Sequence, residues 1–368
     1  MAPTEGTADR ADEYVVIAYN DLGMHCMDAD YSVMSILPPF NTFRAQVLKK
    51  GGSPDIIHND VTLEYWIPSN TRSADKTNFW RYAPALFGVN LAPDVGLFGK
   101  GLRGTMEVTP AQHYDAVGIP LVPFDDSGIF DPYPLATVRV LNDAGVEVAR
   151  TQSVMPVSQE LNCKLCHEAA GVATEVDILR DHDRLHGTTL EQNQPVLCAA
   201  CHADVALGAP GVPNVPSLSS AIHAAHATRM GKVDLANVCY ACHPGVRTDC
   251  QRDVHLANNV VCIDCHGNMG AVGSPTRRPW VDQPRCGTCH SRPGFEFEQA
   301  NTLFKDSRGH GGVNCFACHG SPHAITPTVT AADNLQATRL QGTPGALSDC
   351  LACHTQMPGE AFFHRLDD

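Results

Sequence analysis

Apolar positions cluster into strand-like runs only in the first part of the chain. Tyr14-Val15-Val16-Ile17-Ala18-Tyr19 is an unbroken apolar run rich in β-branched residues, the composition of a strand. Val61, Leu63, Tyr65 and Ile67 alternate with Thr62, Glu64 and Trp66, so one face of that segment is predicted to be buried. Gly104 to Val108 and Tyr114 to Val122 are further strand candidates. Ala136 to Leu141, the turn residues Asn142-Asp143-Ala144-Gly145, and Val146 to Arg150 read as a β-hairpin. Proline and glycine punctuate these runs. The pattern predicts an N-terminal all-β, sandwich-like domain over residues 1–157.

From residue 158 the patterning stops. Helical pieces are predicted at Glu175 to Leu185, Ser217 to Arg229 and Glu296 to Phe304, with little other regular structure. A length of 368 residues suits two domains. The expected second domain, residues 158–368, consists of short helices and loops around something other than a conventional apolar core.

Seven Cys-x-x-Cys-His segments occupy that second region: Cys163 to His167, Cys198 to His202, Cys239 to His243, Cys262 to His266, Cys286 to His290, Cys315 to His319 and Cys350 to His354. This is the attachment signature of c-type haem. In that reading Cys163, Cys166, Cys198, Cys201, Cys239, Cys242, Cys262, Cys265, Cys286, Cys289, Cys315, Cys318, Cys350 and Cys353 form the thioethers. His167, His202, His243, His266, His290, His319 and His354 are then the proximal iron ligands. Paired Cys-x-x-Cys segments can also hold zinc. Zinc does not require a histidine after every second cysteine, and seven pairs leave one without a partner. The expected cofactor is therefore seven copies of haem c, which would supply much of the buried apolar surface.

Distal ligands decide what such irons do, because an iron with two tight protein ligands transfers electrons and an open one binds small molecules. Eight further histidines lie in the same region: His182, His186, His223, His226, His255, His310, His323 and His364. The first seven are taken as distal ligands, and His364, near the end of the sequence, is held in reserve. His182 and His186 are four apart and His223 and His226 three apart, so each pair shares a helix face and is expected to serve two neighbouring haems. The glycines around His310 permit close approach to a flat macrocycle. Met230 and Met269 are unneeded as ligands. His58 and His113 read as ordinary side chains.

Two of the sixteen cysteines, Cys26 and Cys250, lie outside the motifs. Covalent haem attachment implies export, and an oxidising compartment permits a disulfide between them. His25-Cys26-Met27 also brings soft ligands together, so a copper site completed by His58 or His113 is an alternative; His25 could instead reach an iron. Met1 to Glu13 lacks a basic segment followed by an apolar one, and is read as a mature or trimmed start. The net charge of −14 argues against nucleic acid and anionic membranes as partners. No run of 18 apolar residues predicts a membrane span.

The seven motifs with interleaved histidines resemble the multihaem c-type cytochromes of respiratory microbes, including periplasmic carriers and extracellular, filament-forming members. That resemblance covers residues 158–368 and implies electron transfer along a closely spaced row of mostly bis-histidine haems. It implies a periplasmic or extracellular location, and redox proteins or further copies of the chain as partners. A filament would take one distal histidine from a neighbour, with His25 or His364 as the donor. The alternative is a multihaem reductase with one open iron. Every motif ends in histidine rather than a substitute such as lysine, which favours a carrier without a chemical substrate. A haem-bearing sensor or adhesin is a third class with no positive feature in the sequence.

Overall fold

The computed structural model describes residues 12–230, 233–235, 237–293, 298–359 and 364. In chain order the strands and helices begin with β1 (Tyr14–Asn20), β2 (His25–Cys26), β3 (Met34–Ser35), β4 (Asn41–Lys49), β5 (Asp55–Ile57), β6 (Val61–Trp66) and α1 (Phe79–Phe87). There follow β7 (Arg103–Thr105), β8 (Glu107–Val108), β9 (Tyr114–Ile119), β10 (Leu135–Asn142), β11 (Glu147–Val154) and β12 (Val157–Ser158). Beyond them lie α2 (Thr174–His186), β13 (Val196–Leu197), α3 (Leu218–His226), α4 (Val254–Ala257), α5 (Cys262–His266), α6 (Met269–Val272), α7 (Cys286–Cys289), α8 (Cys315–His319) and α9 (Ala331–Gln341).

Two antiparallel sheets carry the framework. One runs β1-β4-β9-β8 with β5 on the side of β4; the other runs β11-β10-β6-β7. Their facing side chains, including Val16, Phe43, Val47, Leu63, Tyr65, Ile119, Val138 and Val140, form one core. The β10–β11 hairpin closes through the Asn142 side chain, which accepts from the amides of Ala144 and Val146, while Gly145 takes the left-handed conformation at φ 73°.

β1 explains its own unbroken apolar run. Val16 and Ala18 face the sheet core. Val15, Ile17 and Tyr19 face a second cluster made with Phe316, Ala317, Leu340 and Ala352. A strand covered on both faces has no reason to alternate. Phe316 is 1 % exposed, so truncating it to alanine would cost about 3–5 kcal/mol.

That second cluster corrects the expected fold class. An all-β domain followed by a separate domain of helices and loops is not what forms; strands and helices interleave through the chain. Helix α1 lies within the first part, its Phe79, Ala83 and Leu86 buried on one face. β12 and β13 pair in parallel with β2 and β3. The later region is thus stitched into the sheets by backbone pairing as well as by side chains.

β4 went unread in the sequence because polar residues interrupt it. Phe43, Ala45 and Val47 do alternate into the core. Between them, Arg44 donates to the Lys305 carbonyl at 2.8 Å, and Gln46 accepts from the Asn314 amide at 2.7 Å. A polar face that meets a polar neighbour stays buried without losing its hydrogen bonds. Helices α2 and α3 fall where two of the three helical pieces were expected. The third, from Glu296, begins at residues outside those described, and its described remainder holds only a 3-10 turn at Phe304–Asp306.

Candidate metal and ligand site

Each Cys-x-x-Cys-His segment is one tight helical turn. The amide of the histidine donates to the carbonyl of the first cysteine in the segments ending at His167, His202, His243, His290 and His354, at 2.8–3.0 Å. The segments ending at His266 and His319 form α5 and α8. Residues one turn apart share a face, so the first cysteine and the histidine of each segment emerge on one side.

The framework sets where these turns sit. β13, paired with β3, leads directly into Cys198. The loop after β4 holds the last segment: Thr355 donates its amide to Gly51, and His354 Nδ1 lies 2.9 Å from the Gly52 carbonyl. Glu160 accepts from the amides of Val246, Arg247 and Thr248 and from Asn162, whose side chain also reaches Tyr240. This ties the turn before His243 to β12.

All seven motif histidines face a second histidine. Ring centres are 6.3 Å apart for His167 and His226, 6.3 Å for His202 and His182, and 6.0 Å for His243 and His223. The separations are 6.0 Å for His266 and His323, 6.1 Å for His290 and His255, 6.0 Å for His354 and His310, and 5.8 Å for His319 and His364. Several of these rings are oriented through Nδ1. His202 meets the Pro216 carbonyl, His223 that of Ser219, His226 that of Ile222, and His255 a carboxylate oxygen of Asp253. A ring that donates from Nδ1 presents Nε2 as a free lone pair.

The interleaved histidines therefore do not behave alike. His223 and His226 reach different partners, as their spacing suggested. His182 reaches His202, whereas His186 stands 4.8 Å from His182 and, among the described residues, makes no ring contact with a motif histidine. His364, expected to be a spare or a donor to a neighbour, faces His319 of its own chain. His25 is buried and lies 3.0 Å from Asp21. His113 pairs with Asp115 at 3.1 Å. Among the described residues, Cys26 is not grouped with two further His, Cys, Asp or Glu ligand atoms.

Burial shapes the electrostatics. Desolvation, reinforced by His223 and His266, pushes His243 down to about 4. Desolvation, with His266 next, likewise pushes His323 to about 4. Both rings are thus neutral at pH 7, the form that can bind a metal. Because His243 senses His223 and His266 together, those two histidine pairs are neighbours in space. Cys262 is held down to about 6 by a hydrogen bond from Cys239, against burial and with help from Asn237.

One site departs from uniformity. Ligand atoms of His167, Asp177 and Asp181 all lie within 4.8 Å of one another. His167 Nδ1 is 3.5 Å from Asp177 and 3.8 Å from Asp181, within ion-pair reach and beyond a good hydrogen bond. The side chains are partly buried, at 21, 19 and 42 % exposure. Helix α2 supplies both carboxylates from positions four apart.

This mixed imidazole–carboxylate group corrects the expectation of a conduit of seven mostly bis-histidine haem c sites, with a multihaem reductase carrying one open iron as the alternative. Its carboxylates offer ligand binding or proton transfer, so a role confined to carrying electrons no longer describes the chain. What the structure shows is a folded α/β protein with metal- and ligand-type side chains. No family model, curated protein or solved structure matches the chain. The resemblance to multihaem cytochromes accordingly rests on short motifs and does not extend to the fold. No helix among the described residues is long and apolar enough to cross a membrane.

Proposed function

We propose that the chain is a scaffold for several metal centres, each held between the two imidazoles of a histidine pair. The observation that carries this reading is the ring separation. A metal–imidazole bond of about 2.0 Å, plus about 1.2 Å from nitrogen to ring centre, puts two rings on opposite sides of one ion about 6.4 Å apart, whereas a tetrahedral angle would give about 5.2 Å. The seven separations of 5.8–6.3 Å fit opposed ligands. Opposed imidazoles leave the plane between them for a flat ligand set.

At His167 the carboxylates of Asp177 and Asp181 add a proton acceptor next to the imidazole, which sets this site apart chemically. Residues 12–157 serve mainly as the frame and residues 158–368 carry the sites. The motif chemistry and the acidic charge support an exported protein, periplasmic or extracellular. They also support partners that exchange electrons or metal with it, or further copies of the chain.

Elemental analysis of the purified full chain tests the count, and is expected to find seven metal ions per polypeptide. The visible spectrum reads whether the metal sits in a macrocycle, and intact mass under denaturing conditions reads covalent attachment. Fewer than six metal ions would remove the paired-site reading.

A further inference from the structure

We propose that Cys26 and Cys250 form a site of reversible covalent cross-linking between the strand framework and the motif-bearing part of the chain. These are the two cysteines that no Cys-x-x-Cys-His segment uses. They are thiols in this structure, and both are partly buried.

The backbone brings them together from both sides. Cys26 is the register partner of Ser158 in the β2–β12 pair. Ser158 Oγ donates to Thr248 Oγ1 at 3.1 Å, and the Cys250 amide donates to the Thr248 carbonyl at 3.1 Å. From the other side, Arg252 Nη1 donates to both the Cys250 carbonyl and the Gly23 carbonyl, three residues before Cys26. The thiols are close enough that ionisation of Cys250 raises Cys26, an effect second to burial. Buried thiols react slowly, since the thiolate is the nucleophile. The link therefore forms slowly.

The exchange balances with a small disulfide as co-reactant. One protein thiolate attacks the donor disulfide and expels a donor thiolate. The second protein thiolate attacks the mixed disulfide and expels the other. Two protein S–H bonds are lost and one S–S bond forms; two electrons and two protons leave as two donor thiols. The resulting bond closes a long loop, which restricts the unfolded chain and stabilises the fold.

The test uses the full chain incubated with oxidised glutathione, then digested without reduction and mapped by mass spectrometry. A Cys26–Cys250 linked peptide is expected, with a melting temperature several degrees higher that falls back on adding dithiothreitol. Cys26→Ser and Cys250→Ser should each abolish both the peptide and the shift, while far-ultraviolet circular dichroism stays unchanged. If one variant fails to fold, the unsubstituted chain still decides the matter through its peptide map. Both residues recovered alkylated, or each carrying its own glutathione, would overturn the cross-link.

Discussion

Arg252 and Asp333 form a two-pronged ion pair in the interior, with Nε to Oδ2 at 2.6 Å and Nη2 to Oδ1 at 2.8 Å. Their side chains are 0 and 4 % exposed. The guanidinium also lies 5.1 Å from the centre of the Tyr133 ring and donates to the Gly23 carbonyl at 2.8 Å. One side chain from the motif-bearing region thus joins α9, the strand framework and the loop before β2. Asp333→Ala leaves a buried cation without its partner and should destabilise the protein by about 3–5 kcal/mol. Urea unfolding measures this. The double change Arg252→Met with Asp333→Leu should recover much of the loss, and no recovery would mean that the Gly23 and Tyr133 contacts dominate.

Glu160 makes stability depend on pH. Burial opposes its ionisation. Hydrogen bonds from Asn162 and from the amides of Arg247, Val246 and Thr248 outweigh burial and hold the carboxyl below its ordinary value. A carboxyl depressed in the folded state stabilises the protein above its unfolded pKa of about 4.5 and loses that contribution as pH falls through the folded value. Glu160→Gln should cost about 1–3 kcal/mol at pH 7 and flatten the acid limb of the stability curve. An unchanged limb in the variant would assign acid sensitivity to other carboxylates.

Gly23 is held by backbone geometry. Its φ is +83°, and a Cβ there would sit on the Pro322 carbonyl oxygen. The neighbouring contact of Ser321 Oγ with the Asn20 carbonyl leaves that loop little room to retreat. Gly23→Ala should cost about 2–4 kcal/mol from strain and overpacking combined. A thermal melt within a degree of the parent would show that the two loops separate freely.

Removing one imidazole from a pair should open one metal position. His323→Ala leaves His266 as the remaining side-chain ligand, so the metal-loaded variant should bind one equivalent of added imidazole or cyanide. The parent should bind none at that site. Spectroscopic titration reads the difference. No uptake by the variant would mean that His266 and His323 do not share a metal.

Thiol reactivity separates adjacent motifs. In chain prepared without attached groups, Cys262, lowered to about 6, should alkylate ahead of Cys239, which the same hydrogen bond and burial raise. Timed iodoacetamide labelling at pH 7 with peptide mapping gives the order. Equal rates would remove the Cys239–Cys262 contact.

The sequence by itself determined the chemistry available at each position. Each cysteine pair followed by histidine forms a short turn that brings its first cysteine and its histidine to one side, and that is local geometry. The alternation at Val61 to Ile67 and the hairpin around Asn142 were legible for the same reason, since backbone period and turn chemistry act over a few residues. Tertiary structure alone decided which histidine faces which. His226 meets His167 across 59 residues of chain, and nothing in either local segment encodes that choice. The carboxylates beside His167 were invisible because Asp177 and Asp181 look like the solvent face of any helix until α2 packs there. β4 and the two-sided burial of β1 were hidden likewise. Their neighbours, Lys305, Asn314 and Phe316, lie more than 260 residues away, and burial of Arg44 or Gln46 becomes affordable only once those partners supply hydrogen bonds.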